Sequence, residues 1–190
     1  MHIGTIAGRS VKRHLTNGSP TDNSPWDGRF FDLSGHASER WQELSGPWEE
    51  FGPFPRAFDY FGDGSFYLID APGHMPGNLA AVANIKYGDD QTAWVILASD
   101  CCHSRKLLMG EEEIASFDGP GGKMCLHEDV DSAKETIARI RTAEVEYGMH
   151  VAMAHDDDWM CAATNEVLLS LLLEKGRDDF LGRVREGKAP

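Results

Sequence analysis

Basic residues, cysteine and long apolar runs are all scarce in this sequence, and each shortage excludes something. Lys and Arg number 18 against 31 Asp and Glu, a formal charge of −13 over 190 residues. Nucleic acids and anionic membranes are gripped by clustered Lys and Arg, so neither is expected as a partner. The four cysteines are Cys101, Cys102, Cys125 and Cys161; two are adjacent and none forms a C-x-x-C pair. The opening Met1-His2-Ile3-Gly4 carries no apolar signal stretch. Together these features lead us to expect a reduced, cytoplasmic protein. The longest apolar run, Val167 to Leu173, is 7 residues and includes Ser170. A membrane span needs about 18–20. The G-x-S-x-G elbow of Ser-His-Asp hydrolases is also missing, and Asp118-Gly-Pro-Gly-Gly-Lys123 lacks the spacing of a phosphate loop and reads as an ordinary loop.

What is present points to one folded domain over residues 1–190. Apolar residues make up 41% of the chain and include 9 Phe, too many for a disordered segment. Residues 1–50 form an irregular arm: Thr16 to Pro25 is nearly all turn formers, and Trp26, Phe30, Phe31, Trp41 and Trp48 read as anchors pinning it to a core over 51–176. In that core, Ala57–Phe61 and Ser65–Asp70 are strand-like runs joined by Gly62-Asp63-Gly64, and Leu79–Tyr87 and Thr92–Ser99 form a second pair. The apolar run Ala93–Ala98 suits a strand covered on both faces. A helix is expected over Asp131–Tyr147, capped by Asp131 and stopped by Gly148. A short strand over Met149–Ala154 and an apolar helix over Thr164–Lys175 follow, then a charged, fraying tail over 177–190.

Three residues of metal-binding type each sit just after a predicted strand: His74 beyond Ala71-Pro72-Gly73, Asp100, and His155. A sheet fixes the direction of such side chains while the loops leave an ion open to substrate. Two neutral imidazoles and a carboxylate suit Zn²⁺, and less well Mn²⁺ or Fe²⁺. Taken singly, each has a plainer role: a surface turn, a cap, or a solvated helix start at His155-Asp156-Asp157-Asp158. Cys102, His103 and Asp156 lie close to these positions and could substitute for a ligand or back one, although packing and surface roles are commoner. Cys125 and His127 form a ligand-like pair without matching partners.

The segments Phe66-Tyr-Leu-Ile-Asp-Ala-Pro-Gly-His-Met-Pro-Gly77, Val95-Ile-Leu-Ala-Ser-Asp100 and Ala152-Met-Ala-His-Asp156 resemble the metallo-β-lactamase superfamily, especially its lactonase-like fungal and bacterial hydrolases. The resemblance spans about residues 50–160. It implies an αββα sandwich, present mainly as its C-terminal half. It also implies that His74 binds a first metal, that Asp100 bridges two, and that His155 binds a second. The family's chemistry is hydrolysis of a lactone or ester by a metal-activated water, with one or two zinc ions. The family's His-x-His-x-Asp-His motif is absent: His2, His14 and His36 lie upstream, none in that spacing. At most one zinc ion is therefore expected here. The alternative is a truncated, catalytically silent member of the family acting as a binding or interaction protein. Half a sandwich leaves a sheet face without its partner layer, so a homo-oligomer or a partner chain is expected.

Overall fold

The computed structural model describes residue 44 and residues 46–119 and 122–188. The expected anchors Trp26, Phe30, Phe31 and Trp41 lie outside the described residues, as do His2, His14 and His36.

The protein is mixed α/β. Strands β1 (Glu49–Phe51), β2 (Phe54–Asp59), β3 (Phe66–Asp70), β4 (Leu79–Tyr87), β5 (Gln91–Leu97) and β8 (His150–Ala152) form a six-stranded sheet in the order β1-β2-β3-β4-β5-β8. All neighbours are antiparallel except β5 and β8, which are parallel. Two antiparallel steps separate β3 from β5, so β3, β5 and β8 all run the same way and end at one edge. That edge is where His74, Asp100 and His155 emerge. A small hairpin, β6 (Ser116–Gly119) with β7 (Gly122–Cys125), stands where the sequence reads as a loop.

Alternation along β5 shows why its run is apolar. Ile96 belongs to the main core with Val82, Ile69 and Val151, while its neighbour Val95 packs on the opposite face against Val167 and Leu168. Both are fully buried. The main core is closed by α2 (Val130–Val145), which buries Ala133, Thr136, Ile137, Ile140 and Ala143 along one stripe. The N-cap is Asp129 rather than Asp131, its carboxylate accepting from the Ser132 N–H at 3.0 Å.

Helix α1 (Arg105–Met109) packs beside α2, and α3 (Asp157–Ala162) follows the last strand. The expected helix 164–175 is broken into α4 (Glu166–Leu169) and α5 (Glu174–Arg185). So the region from Arg177 does not fray but continues as helix. Phe180, 8% exposed and 6.0 Å from Trp159 by ring centroid, anchors it. None of the described helices is long and apolar enough to cross a membrane.

Candidate metal centre

The loop after β3 is fastened on two sides. The N–H groups of Glu128 and Asp129 donate to the carbonyls of His74 and Gly73, at 3.1 and 3.0 Å. Thr136 Oγ1 donates to the Pro72 carbonyl at 2.7 Å. On the other side Asn78, 9% exposed, donates to the Ala71 carbonyl and to Cys101 Sγ. Gly73 is required here: its φ is +129°, and a Cβ would stand 2.4 Å from the backbone of Ala133. These bonds set His74 beside the segment that carries His127.

The loop after β5 turns sharply. Ser99 takes a positive φ of 51°, a strained position for a residue with a side chain. Its carbonyl accepts from the Ala154 N–H at 3.1 Å, which ties the Asp100 loop to the His155 loop. Asp100 Oδ1 and His155 Nε2 lie 3.1 Å apart. With His103 they form a group whose ligand atoms all lie within 4.8 Å of one another, the one such group of His, Cys, Asp or Glu among the described residues.

His103 is the centre of a larger cluster. Its ring lies 5.2 Å from His155, 5.3 Å from His74 and 5.0 Å from His127, and His74 and His127 are 5.5 Å apart. So Asp100 and His155 come together directly, whereas His74 reaches them through His103 and is not in the tight group. His155 and Asp100 form the open side, with side chains 57% and 38% exposed. His127 is the buried side at 5%. Burial and the neighbouring imidazoles push both His103 and His127 below the usual histidine range. Both are therefore neutral at pH 7, with a lone pair to give.

Other nearby groups are spoken for. Asp156, 1% exposed, accepts from Arg105, which also holds Glu144 and the Val151 carbonyl. It thus pins α1 to the last strand instead of facing the histidines. Burial pushes the Cys101 thiol up to about 12, and the Cys102 thiol upward too, so neither offers a thiolate. None of the four cysteines is in a disulfide.

A carboxylate beside neutral imidazoles at a sheet edge is a donor set that takes a borderline-soft divalent ion. The buried ring nitrogens His74 Nδ1, His127 Nδ1 and His127 Nε2, none with a hydrogen-bond partner, fit the same reading. His103 stands three residues from Asp100 and was visible in the sequence only as a substitute. His127 had no local signal beyond the Cys125-x-His127 spacing.

No protein-family model matches the chain. It is 48% identical over 52 residues to the metallo-hydrolase mfmC of Annulohypoxylon moriforme, covering 27% of this chain and 13% of that protein. It is 32% identical over 107 residues to the gamma-lactamase FDB1 of Fusarium pseudograminearum, covering 52% and 23%. A third relative, named cytochrome P450 monooxygenase mpaDE, of Penicillium roqueforti, is 31% identical over 117 residues, covering 53% and 13%. The chain thus spans 13–23% of the length of these curated relatives. Among solved structures, the dizinc quorum-quenching lactonase AidC is 15% identical with a TM-score of 0.42, covering 79% of this chain and 44% of that one. A quorum-quenching N-acyl homoserine lactone lactonase is 16% identical with a TM-score of 0.44, covering 63% and 38%. Two of the matched relatives are thus named as hydrolases, a metallo-hydrolase and a gamma-lactamase.

Proposed function

We propose that this chain is a metal-dependent hydrolase that holds its ion with His74, Asp100 and His155 and acts on a lactone or ester carbonyl. The observation that carries the reading is the convergence of Asp100, His155 and His103 at the edge where three like-directed strands end. The relatives named metallo-hydrolase and gamma-lactamase support the reaction class. A bound zinc ion would lower the pKa of a water and polarise the carbonyl to be attacked.

The chain's own residues divide the remaining work. Asp100 brings the negative charge that neutral imidazoles lack, which favours a divalent cation. The pair Asp100–His155, 3.1 Å apart with side chains 38% and 57% exposed, lies on the open side of the cluster, where an ion held by it stays within reach of a substrate. The strained turn at Ser99 and its bond to Ala154 keep these two side chains in one geometry. The overall charge of −13 raises the local concentration of cations and disfavours acidic substrates.

The test is zinc binding and hydrolysis of a panel of γ- and δ-lactones, simple esters and a γ-lactam. Zinc-loaded protein is expected to open lactones or esters. Asp100→Asn and His155→Ala should each weaken zinc by at least about 10–100-fold, the loss seen when even an outer partner of a ligand is removed. Protein that retains no zinc and turns over none of the panel would instead be the silent binding protein, and the hydrolase reading would fall.

A further inference from the structure

We propose that His103 and His127 are ligands as well, joining His74 so that three imidazoles of this chain take part in holding the ion at the Asp100–His155 edge. The proposal rests on the metal-centre reading above and extends it to residues which that reading leaves unused.

Burial is the first ground. His127 is 5% exposed, yet neither ring nitrogen has a hydrogen-bond partner, and His74 Nδ1 is buried and unpartnered beside it. A neutral imidazole carries one N–H and one lone pair, and leaving either unmet inside a protein forfeits the water it gave up. A histidine kept only for packing would satisfy at least one nitrogen. Three such atoms on two adjacent rings mark a place built for something else.

Spacing is the second ground. With Zn–N bonds of about 2.0–2.1 Å and tetrahedral angles, imidazole rings sharing one ion have centroids about 5 Å apart. The three rings here are separated by 5.0, 5.3 and 5.5 Å. Their planes are inclined by 54°, 65° and 84°, as rings radiating from a common point are, and not stacked. The donor atoms of the three rings do not all lie within 4.8 Å of one another, so ligation would turn the rings of His74 and His127 about their side-chain bonds while the ring centres stay where they are.

The backbone holds the arrangement. His74 and His127 lie in segments joined by the bonds from Glu128 and Asp129 to the 73–74 carbonyls. The Cys125 Sγ also accepts from the His127 N–H at 3.1 Å, fixing where that residue leaves the hairpin. Three neutral imidazoles with one open position are a sufficient zinc set.

The experiment uses the full chain, with Zn²⁺ affinity measured by chelator competition and the ligand field read from the visible absorption of Co²⁺. His127→Gln and His103→Gln are each expected to weaken zinc by at least about 10-fold and to change the Co²⁺ spectrum. In the unaltered protein, the ¹⁵N resonances of the His127 ring should shift when zinc is added, which decides the matter even if a variant fails to fold. Unchanged affinity and spectrum in a folded His127→Gln protein, or unmoved His127 resonances, would overturn the proposal. Lactone hydrolysis is measured alongside. Zinc held through His127 without hydrolysis sinks the hydrolase reading and leaves this one standing. Hydrolysis insensitive to His127→Gln does the reverse, and no zinc binding at all ends both.

Discussion

At the scale of single residues, the centre depends on side chains that do not touch it. Arg105 is the one cation bonded to the buried Asp156 in the described residues, and it also reaches Glu144 and the Val151 carbonyl. Removing one member of a buried ion pair leaves an uncompensated charge, which costs about 3–5 kcal/mol. Arg105 keeps 24% of its side chain exposed, so Arg105→Met should cost about 3 kcal/mol, the lower end. Urea unfolding checks this, and a loss below about 1 kcal/mol would mean that water reaches Asp156. The histidines show how far single residues are legible. His74, Asp100 and His155 announce themselves because each follows a strand-like run. His127 does not, since what distinguishes it is burial without partners, and a sequence records no burial.

At the scale of elements, the parallel run of β3, β5 and β8 puts three loop residues at one edge. The loop after β3 is then locked onto α2 through Gly73. Gly73→Ala would drive a methyl group into the Ala133 backbone at 2.4 Å, on a φ of +129° that only glycine adopts freely. Overpacking of this kind costs about 1–3 kcal/mol before the backbone strain is added. The variant should melt at lower temperature and bind zinc more weakly, because relieving the clash moves His74 away from His103. A variant that loses stability but keeps full zinc affinity would show that His74 is not needed as a ligand. Strand β4 and the body of helix α2 were readable from their apolar positions, although the helix cap lies two residues earlier, at Asp129. The helix over 174–185 was not: its charge suggested a loose tail, but Phe180 packing on Trp159 holds it in place.

At the scale of the molecule, the sheet has two faces to cover. One carries the main core beneath α2; the other is met at Val95 by Val167 and Leu168 of α4. Apolar side chains remain in the open at Leu97, Leu171, Leu172 and Leu173, exposed by 41%, 42%, 37% and 87%. Burying apolar surface is worth about 25 cal/mol per Å², so a few hundred Å² shared between copies is enough to drive association. We expect the chain to self-associate, more strongly at high salt because screening relieves repulsion between chains of charge −13. Sedimentation across protein and salt concentration checks this, and a compact monomer at all of them would refute it.

The sequence by itself determined the principal strands from Phe66 onward and the three strand-end residues. These follow from local patterns: alternation, glycine at turns, and polar residues that terminate apolar runs. Tertiary structure alone decided that His103 is the hub, that His127 comes in from a hairpin to meet it, and that Asp156 turns away to Arg105. Those outcomes depend on which loops a shared sheet edge brings within a few ångströms. Contacts between segments more than 20 residues apart leave no periodicity in the chain for a reader to find.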